Sequence, residues 1–347
     1  MIKNICSSID NGRTAYIDIA KFLGIFLVIH NHLGLDYSNN ILKIGIASFH
    51  MPLFFLLAGV VKSFSKADTA LWAIIRKRFI GVMIPFYLWS FVFIDFKPVS
   101  LLCILYGSNL SISKAGGVGG SWFLPCFFVA DILYEVSSKI AKKLKLSRIF
   151  VALVYFAIGY ILNRYKLPMG YFMSFDVAFC GAAFIIIGDM LKKSQLIDKI
   201  YCLKLYIKIV CMFGAFCLCV VLALNNPDSY ANEYGRLVMA LGYYGNFALF
   251  ILTSLFGSMG ILFLSMIVES TRCSFIMEAI GRNTLCILLV QQIVIIYIEK
   301  IITWTSMQLN PILALGIAMI ALIFSHALSL IITYIVPNFK GRYIMIK

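Results

Sequence analysis

Lys21 and His32 stand eleven residues apart inside one apolar stretch, YIDIAKFLGIFLVIHNHLGL. At roughly 100° per residue this spacing closes about three helical turns, so the two side chains share a stripe about 16 Å long. Ionisable groups cost free energy in hydrocarbon and normally face a bundle interior or a water-filled cavity. An imidazole, with an ordinary pKa of about 6.5, can take a proton from a hydroxyl and return it. A lysine nearer the membrane surface can hold a phosphate or a thioester oxygen. The pair therefore suits group transfer between an activated donor on one side and a hydroxyl on the other. Asp18 lies three residues before Lys21 on the same face, where pairing neutralises and orients the ammonium. The competing reading of Lys21 is a lysine that snorkels to the headgroups.

The histidines are His30, His32, His50 and His326, and three of them fall in the first two apolar runs. His30 is about 200° around the helix from His32, so only His32 shares the stripe of Lys21. His50 opens the second run, FHMPLFFLLAG, near the membrane side toward which His32 points. A metal site, a structural role and acid-base chemistry are all open to this cluster. No carboxylate or cysteine completes a ligand set, so no metal is expected. Arg76, Lys77 and Arg78 are either topology determinants or a dock for a phosphorylated donor, since guanidinium forks grip phosphate at two points. Asp131 and Glu135 share a helix face, with Asp131 deep in its run as a buried hydrogen-bonding or cavity residue. Asp176, at the start of a later run, is interfacial or functional. The 10 cysteines lie mostly in apolar runs without ligand spacing and read as small apolar fillers.

The elements that must position these residues follow from composition. Of 347 residues, 62% are hydrophobic and 13% charged, with a mean hydropathy of +0.94. That leaves too little polar surface for a water-soluble globule. Runs able to cross about 30 Å of hydrocarbon fall near 16–35, 44–61, 79–96, 122–138, 149–163, 172–191, 205–224, 246–268, 283–302 and 311–336. The expectation is an all-α polytopic membrane protein, a bundle of about ten transmembrane helices forming a single domain over 1–347. Residues 1–15 are polar, and the first run is charged and lacks a small-residue cleavage site, so it is expected to be retained.

The net charge of +15 is distributed unevenly: 22 Lys and Arg fall on the N-terminal side of the membrane, 7 on the other and 1 within a span. Clusters at Lys62 to Arg78, Lys139 to Arg148 and Lys192 to Lys208 predict that both termini are cytoplasmic. No aromatic-interleaved soluble module accompanies them, so nucleic acid is not an expected partner. The stretches 97–121 and 225–245, the latter containing NNPDSYANEYGR, are then outer loops. At roughly 20 residues each, such loops are more often functional than idle. They are candidates for a lid or an acceptor-facing surface.

Together these residues resemble the membrane acyltransferase 3 family, and within it the branch similar to fucose 4-O-acetylases. The first-span pattern of that family, an acid, a base three residues on and a histidine eleven further, is matched by Asp18, Lys21 and His32. FHMPLFFLLAGVV resembles its second-span signature, with His50, Pro52, Phe54 and Gly59 in place. Further matches are RKRFIGVMIPFYLW (Arg78, Pro85), SWFLPCFF (Trp122, Phe123, Leu124), DVAFCGAAFIIIGDMLKK (Asp176, Gly188) and IGRNTLCILLVQQ (Gly281, Asn283). The chain departs from the wider pattern at Lys21, usually arginine, at Val82, where a second arginine is common, and at Gln291, often histidine.

The resemblance implies transfer of an acyl group, usually acetyl from acetyl-CoA, to a sugar hydroxyl of a cell-surface polysaccharide or lipid-linked glycan at a bacterial cytoplasmic membrane. It implies His32 as general base or transient acyl carrier. Lys21, with Asp18 beside it, orients the donor, and Arg76 and Arg78 contact the coenzyme phosphates. His50, Trp122, Asp131 and Asp176 are candidate acceptor contacts. The alternative is a transporter or flippase of a polysaccharide intermediate, because relatives of this architecture have export roles. A structural subunit of an envelope assembly is a third reading.

Overall fold

The computed structural model describes residues 15–33, 41–62, 70–117, 119–227, 236–307 and 310–335. Among them the chain is all-helical, with 83% helix and no strand. In order the helices are α1 (Ala15–His32), α2 (Ile41–Lys62), α3 (Leu71–Arg78), α4 (Ile84–Ser90), α5 (Pro98–Tyr106), α6 (Asn109–Lys114), α7 (Phe123–Leu144) and α8 (Arg148–Arg164). They continue as α9 (Phe175–Lys193), α10 (Leu196–Tyr201), α11 (Leu205–Leu224), α12 (Phe247–Val268), α13 (Ser274–Gly281), α14 (Thr284–Thr305) and α15 (Pro311–Ile335).

Six of these are long and apolar enough to cross a bilayer: α2, α9 with the short turn before it, α11, α12, α14 and α15. The chain is a multi-pass membrane protein. The other four expected runs fall on α1, on α4 with the π-turn Phe79–Met83 before it, on α7 and on α8. Helix α1 carries Asp18 and Lys21, α7 carries Asp131 and Glu135, and α8 has only 17 residues. Length and composition thus show six crossing helices, and the count of ten remains an expectation.

Helix α2 is the axis of the bundle. It is apolar all round, the pattern of a helix enclosed by others, and packs on α1, α9, α11 and α12. Of its apolar window 83% is buried, against 17% for the peripheral α11, which turns Val210 and Phe213 outward. Small residues permit the closest crossing, a common device where helices meet inside a membrane. A Cβ on Gly59 would lie 2.0 Å from the Ile185 carbonyl oxygen, and one on Gly188 2.1 Å from that of Leu56.

Two prolines are accommodated within helices, each by a different device. Pro52 has no N–H to give Ser48, four residues back, and the Ser254 hydroxyl of α12 donates to the Ser48 carbonyl instead, at 2.9 Å. Before Pro85 the helix widens to a π-turn over Phe79–Met83, in which the Ile84 N–H bonds to the Phe79 carbonyl. That turn links α3 to α4 and puts Arg78 and Val82 on the wall of one cleft.

The expected outer loop 97–121 is largely helical. Pro98 opens α5, and Ser108 caps α6 by accepting from the Ser111 N–H at 3.0 Å. Tyr106 ties the segment to the turn after α8 by donating to the Gly170 carbonyl at 2.9 Å. In the second expected loop, residues 228–235 lie outside the described residues. Its flanks are pinned by buried Asn226, which donates to the Tyr244 carbonyl at 3.0 Å and accepts from the Asn246 N–H at 3.0 Å.

Gly59→Ala overpacks the crossing of α2 and α9, at a typical cost of about 1–3 kcal/mol or more. Gly214→Ala on α11 meets nothing within 4 Å. Thermal unfolding in detergent should show a clear drop in midpoint for Gly59→Ala and none for Gly214→Ala.

Candidate active site

Helices α1, α2, α7 and α14 each contribute to a cleft of about 170 Å³. Most of its wall is apolar, from Phe54 and Ala58 on α2, Phe123 and Phe127 on α7, and Leu285 and Leu288 on α14. Set into that wall are four cations, Lys21, Lys62, Arg78 and Arg282, and one carboxylate, Asp131.

Two carboxylates orient these cations. Asp18, 2% exposed, accepts from Lys21 Nζ at 3.0 Å and faces Arg282 Nε at 3.5 Å. Gly281 lets α13 press onto α1, since a Cβ there would stand 1.9 Å from the Asp18 carbonyl oxygen. The next residue, Arg282, thereby reaches the Asp18 carboxylate and also pairs with Glu278 at 2.9 Å. Asp131, fully buried, binds Lys62 Nζ at 2.9 Å and Arg78 Nε at 2.7 Å. Lys62 also pairs with Glu135. Asp18, Glu135 and Glu278 are not part of the cleft lining, so the wall itself presents more positive than negative charge.

The stripes that line the cleft continue along the same helices to His32. On α14 Leu285 and Leu288 are followed at helical spacing by Gln292, and on α2 Phe54 is preceded one turn earlier by His50. The short 3₁₀ turn Gly119–Trp122 leads into α7. The position of a Cβ on Gly120 would be 3.7 Å from both His32 Cε1 and Gln292 Oε1, so this turn sits between the imidazole and the amide. His50 donates from Nδ1 to the Ile46 carbonyl at 2.9 Å. A carbonyl only accepts, so Nδ1 carries the proton and Nε2 is the acceptor of the neutral ring. Arg236 reaches this end too, donating from Nη1 to the Asn31 carbonyl at 2.9 Å and to Asn31 Oδ1 at 3.0 Å. It is close enough to interact electrostatically with both His32 and His50.

The candidate residues therefore divide. Lys21, Arg78 and Asp131 meet at the cleft, with Asp18 behind Lys21, while His32 and His50 sit at the far end of the same stripes. Trp122 is buried edge-on against Phe123, at 6.1 Å between ring centroids. Arg76 is exposed on α3 and does not line the cleft. Asp176 lies in the first turn of α9, against α8 at Gly159, and is also absent from the lining. Among the described residues no three His, Cys, Asp or Glu side chains converge as a metal site.

Sequence reasoning did not single out Arg282, Gln292 or Arg236 and read Lys62 only as part of a topology cluster. For Gln292 the signal was available in its spacing from Leu285. For Arg236 there was none, because its partner Asn31 is distant in the chain.

Residues 14–338 match the model of an acyltransferase domain, that of the acyltransferase 3 family, and the chain belongs to this family. Neither curated proteins nor solved structures give a match. Membership together with the apolar helices makes it a membrane acyltransferase.

Removing one partner from a buried ion cluster leaves the others uncompensated, typically at about 3–5 kcal/mol. Asp131→Asn should therefore lower the unfolding midpoint strongly. Asp95→Asn, at the exposed pair with Lys97, should change it far less.

Proposed function

We propose that this protein is an O-acyltransferase of the fucose 4-O-acetylase-like branch, moving acetyl from cytoplasmic acetyl-CoA to a sugar hydroxyl of a cell-surface polysaccharide or lipid-linked glycan. The observation that carries the proposal is the pairing of an apolar cleft studded with cations and a histidine farther along the same helix stripe. Coenzyme A is an anion with a long uncharged arm that ends in the thioester. Lys21, Arg282, Lys62 and Arg78 suit its phosphates, and the apolar wall suits its arm.

On this reading His32 takes the proton from the acceptor hydroxyl as the oxygen attacks the thioester carbonyl. The C–S bond breaks, and His32 returns a proton to the departing thiolate, leaving an ester and free coenzyme A. Attack by His32 itself, followed by transfer from an acyl-imidazole, balances equally. His50, Gln292 and Arg236 surround the acceptor side. The charge asymmetry of the sequence supports ten spans with both termini cytoplasmic, which sets the cleft toward the donor compartment and His32 toward the acceptor.

Purified protein in lipid vesicles with labelled acetyl-CoA should place label on glycan. His32→Ala should abolish that transfer while the protein stays folded; glycan movement without labelling would favour the transporter reading. Lys21→Ala should raise the donor KM more than the acceptor KM, and Lys21→Arg should keep part of the activity. Equal loss in both variants would contradict an electrostatic role. For topology, a cysteine placed in 110–118 should react with an impermeant thiol reagent from outside and one in 139–145 should not. The reverse pattern would overturn the orientation.

A further inference from the structure

Cleft and histidine lie along the same helix faces, and the Phe54 ring packs against α1 at a level between Lys21 and His32. From Ile44 to Val60 every residue of α2 is buried except Phe54 and Ala58, which are four apart and both face the cleft. The Phe54 ring crosses to α1 at the level of Gly24: a Cβ on that glycine would lie 2.9 Å from Phe54 Cζ. Gly24 follows Lys21 by one turn and precedes His32 by two. On its other side the ring meets Phe123 of α7 edge-on, at 5.9 Å between centroids, and Phe123 is backed by Phe55 at 5.1 Å. His32 is not among the residues lining the cleft.

We infer that Phe54 is the aperture of this protein and its specificity-determining residue for the acyl group. This rests on the acyl-transfer reading above. An acyl group entering from the cation side must pass between Phe54, the bare backbone at Gly24 and Phe123 to reach His32. The cross-section of that passage then decides which acyl groups are transferred. The cleft before it is comparable with an apolar cavity of about 150 Å³, which holds one benzene ring, so the cleft admits groups that the aperture refuses. Acetyl, with one methyl beyond the carbonyl, passes. A branched or ring-bearing acyl group is held back. The ring is a part-exposed side chain among fixed neighbours, so substitutions on its two sides should act in opposite directions.

The test measures transfer from acetyl-, isobutyryl- and benzoyl-CoA by the full-length protein in vesicles. Phe54→Ala should raise the use of isobutyryl- and benzoyl-CoA relative to acetyl-CoA by about tenfold or more. Phe54→Leu, a smaller loss of volume, should shift the ratio the same way and serves if Phe54→Ala does not fold. Gly24→Ala, which pushes the ring toward the cleft, should lower the same ratio. An unchanged ratio in a Phe54 variant that still transfers acetyl overturns the aperture and leaves the acyltransferase reading standing. Proton leak, followed with a pH dye inside the vesicles, needs no substrate: Phe54→Ala should leak faster than the natural protein. Faster leak with no transfer from any acyl-CoA by the natural protein would keep the aperture and sink the acyltransferase reading. Equal leak with no transfer would sink both.

Discussion

A charge inside a bilayer must be matched by an opposite charge or by water, and that requirement organises this molecule. Asp131 satisfies it with Lys62 and Arg78, and Asp18 with Lys21 and Arg282, so two carboxylates draw together four cations from separate parts of the chain. Because the carboxylates hold those cations at the cleft, a strongly apolar bundle keeps a positively charged recess. The same economy governs the backbone. Where Pro52 leaves a carbonyl without its donor, a serine from α12 supplies one, and where Pro85 would clash, the helix widens by one residue.

Close packing at the centre gives the charges their setting. Helix α2 can be enclosed on several sides because Gly59 and Gly188 bring backbones into contact. From Ile44 to Val60 only Phe54 and Ala58 are part-exposed, and both face the cleft. The cation-lined cleft and His32 thereby lie along common helix faces, with the Phe54 ring packed at Gly24 at a level between Lys21 and His32. On the proposed reading both properties matter, since a wide-open channel would dissipate ion gradients and expose a thioester to water.

Much of this was legible in the sequence, for physical reasons. The alignment of Lys21 with His32, and the exclusion of His30, follow from helical periodicity alone. The pairing of Asp18 with Lys21 is a three-residue relation on one face, and the structure has it at 3.0 Å. The sites of Arg78 and Asp131 were also marked, but not that they bind each other, because that contact joins helices far apart in the chain. Long-range meetings are what sequence periodicity does not encode, and Arg236 on Asn31 and Gln292 beside Gly120 belong to the same kind. The stretch 97–121 looked like a loop because its apolar run, about 98–106, is too short to cross a membrane. Pro98 and the Ser108 cap, both local signals, were there to mark two short helices.

On the proposed reading, the acyl donor enters at the cations and its reactive end reaches His32 along the seam. The most direct measurement is photolabelling with an acetyl-CoA analogue whose acyl group carries a small diazirine, followed by mass spectrometry of the labelled peptides. The account predicts label on the peptides holding Phe54, Gly120, His32 and Gln292, suppressed by excess coenzyme A. Label confined to lipid-facing helices such as α11, or label that coenzyme A does not displace, would contradict it.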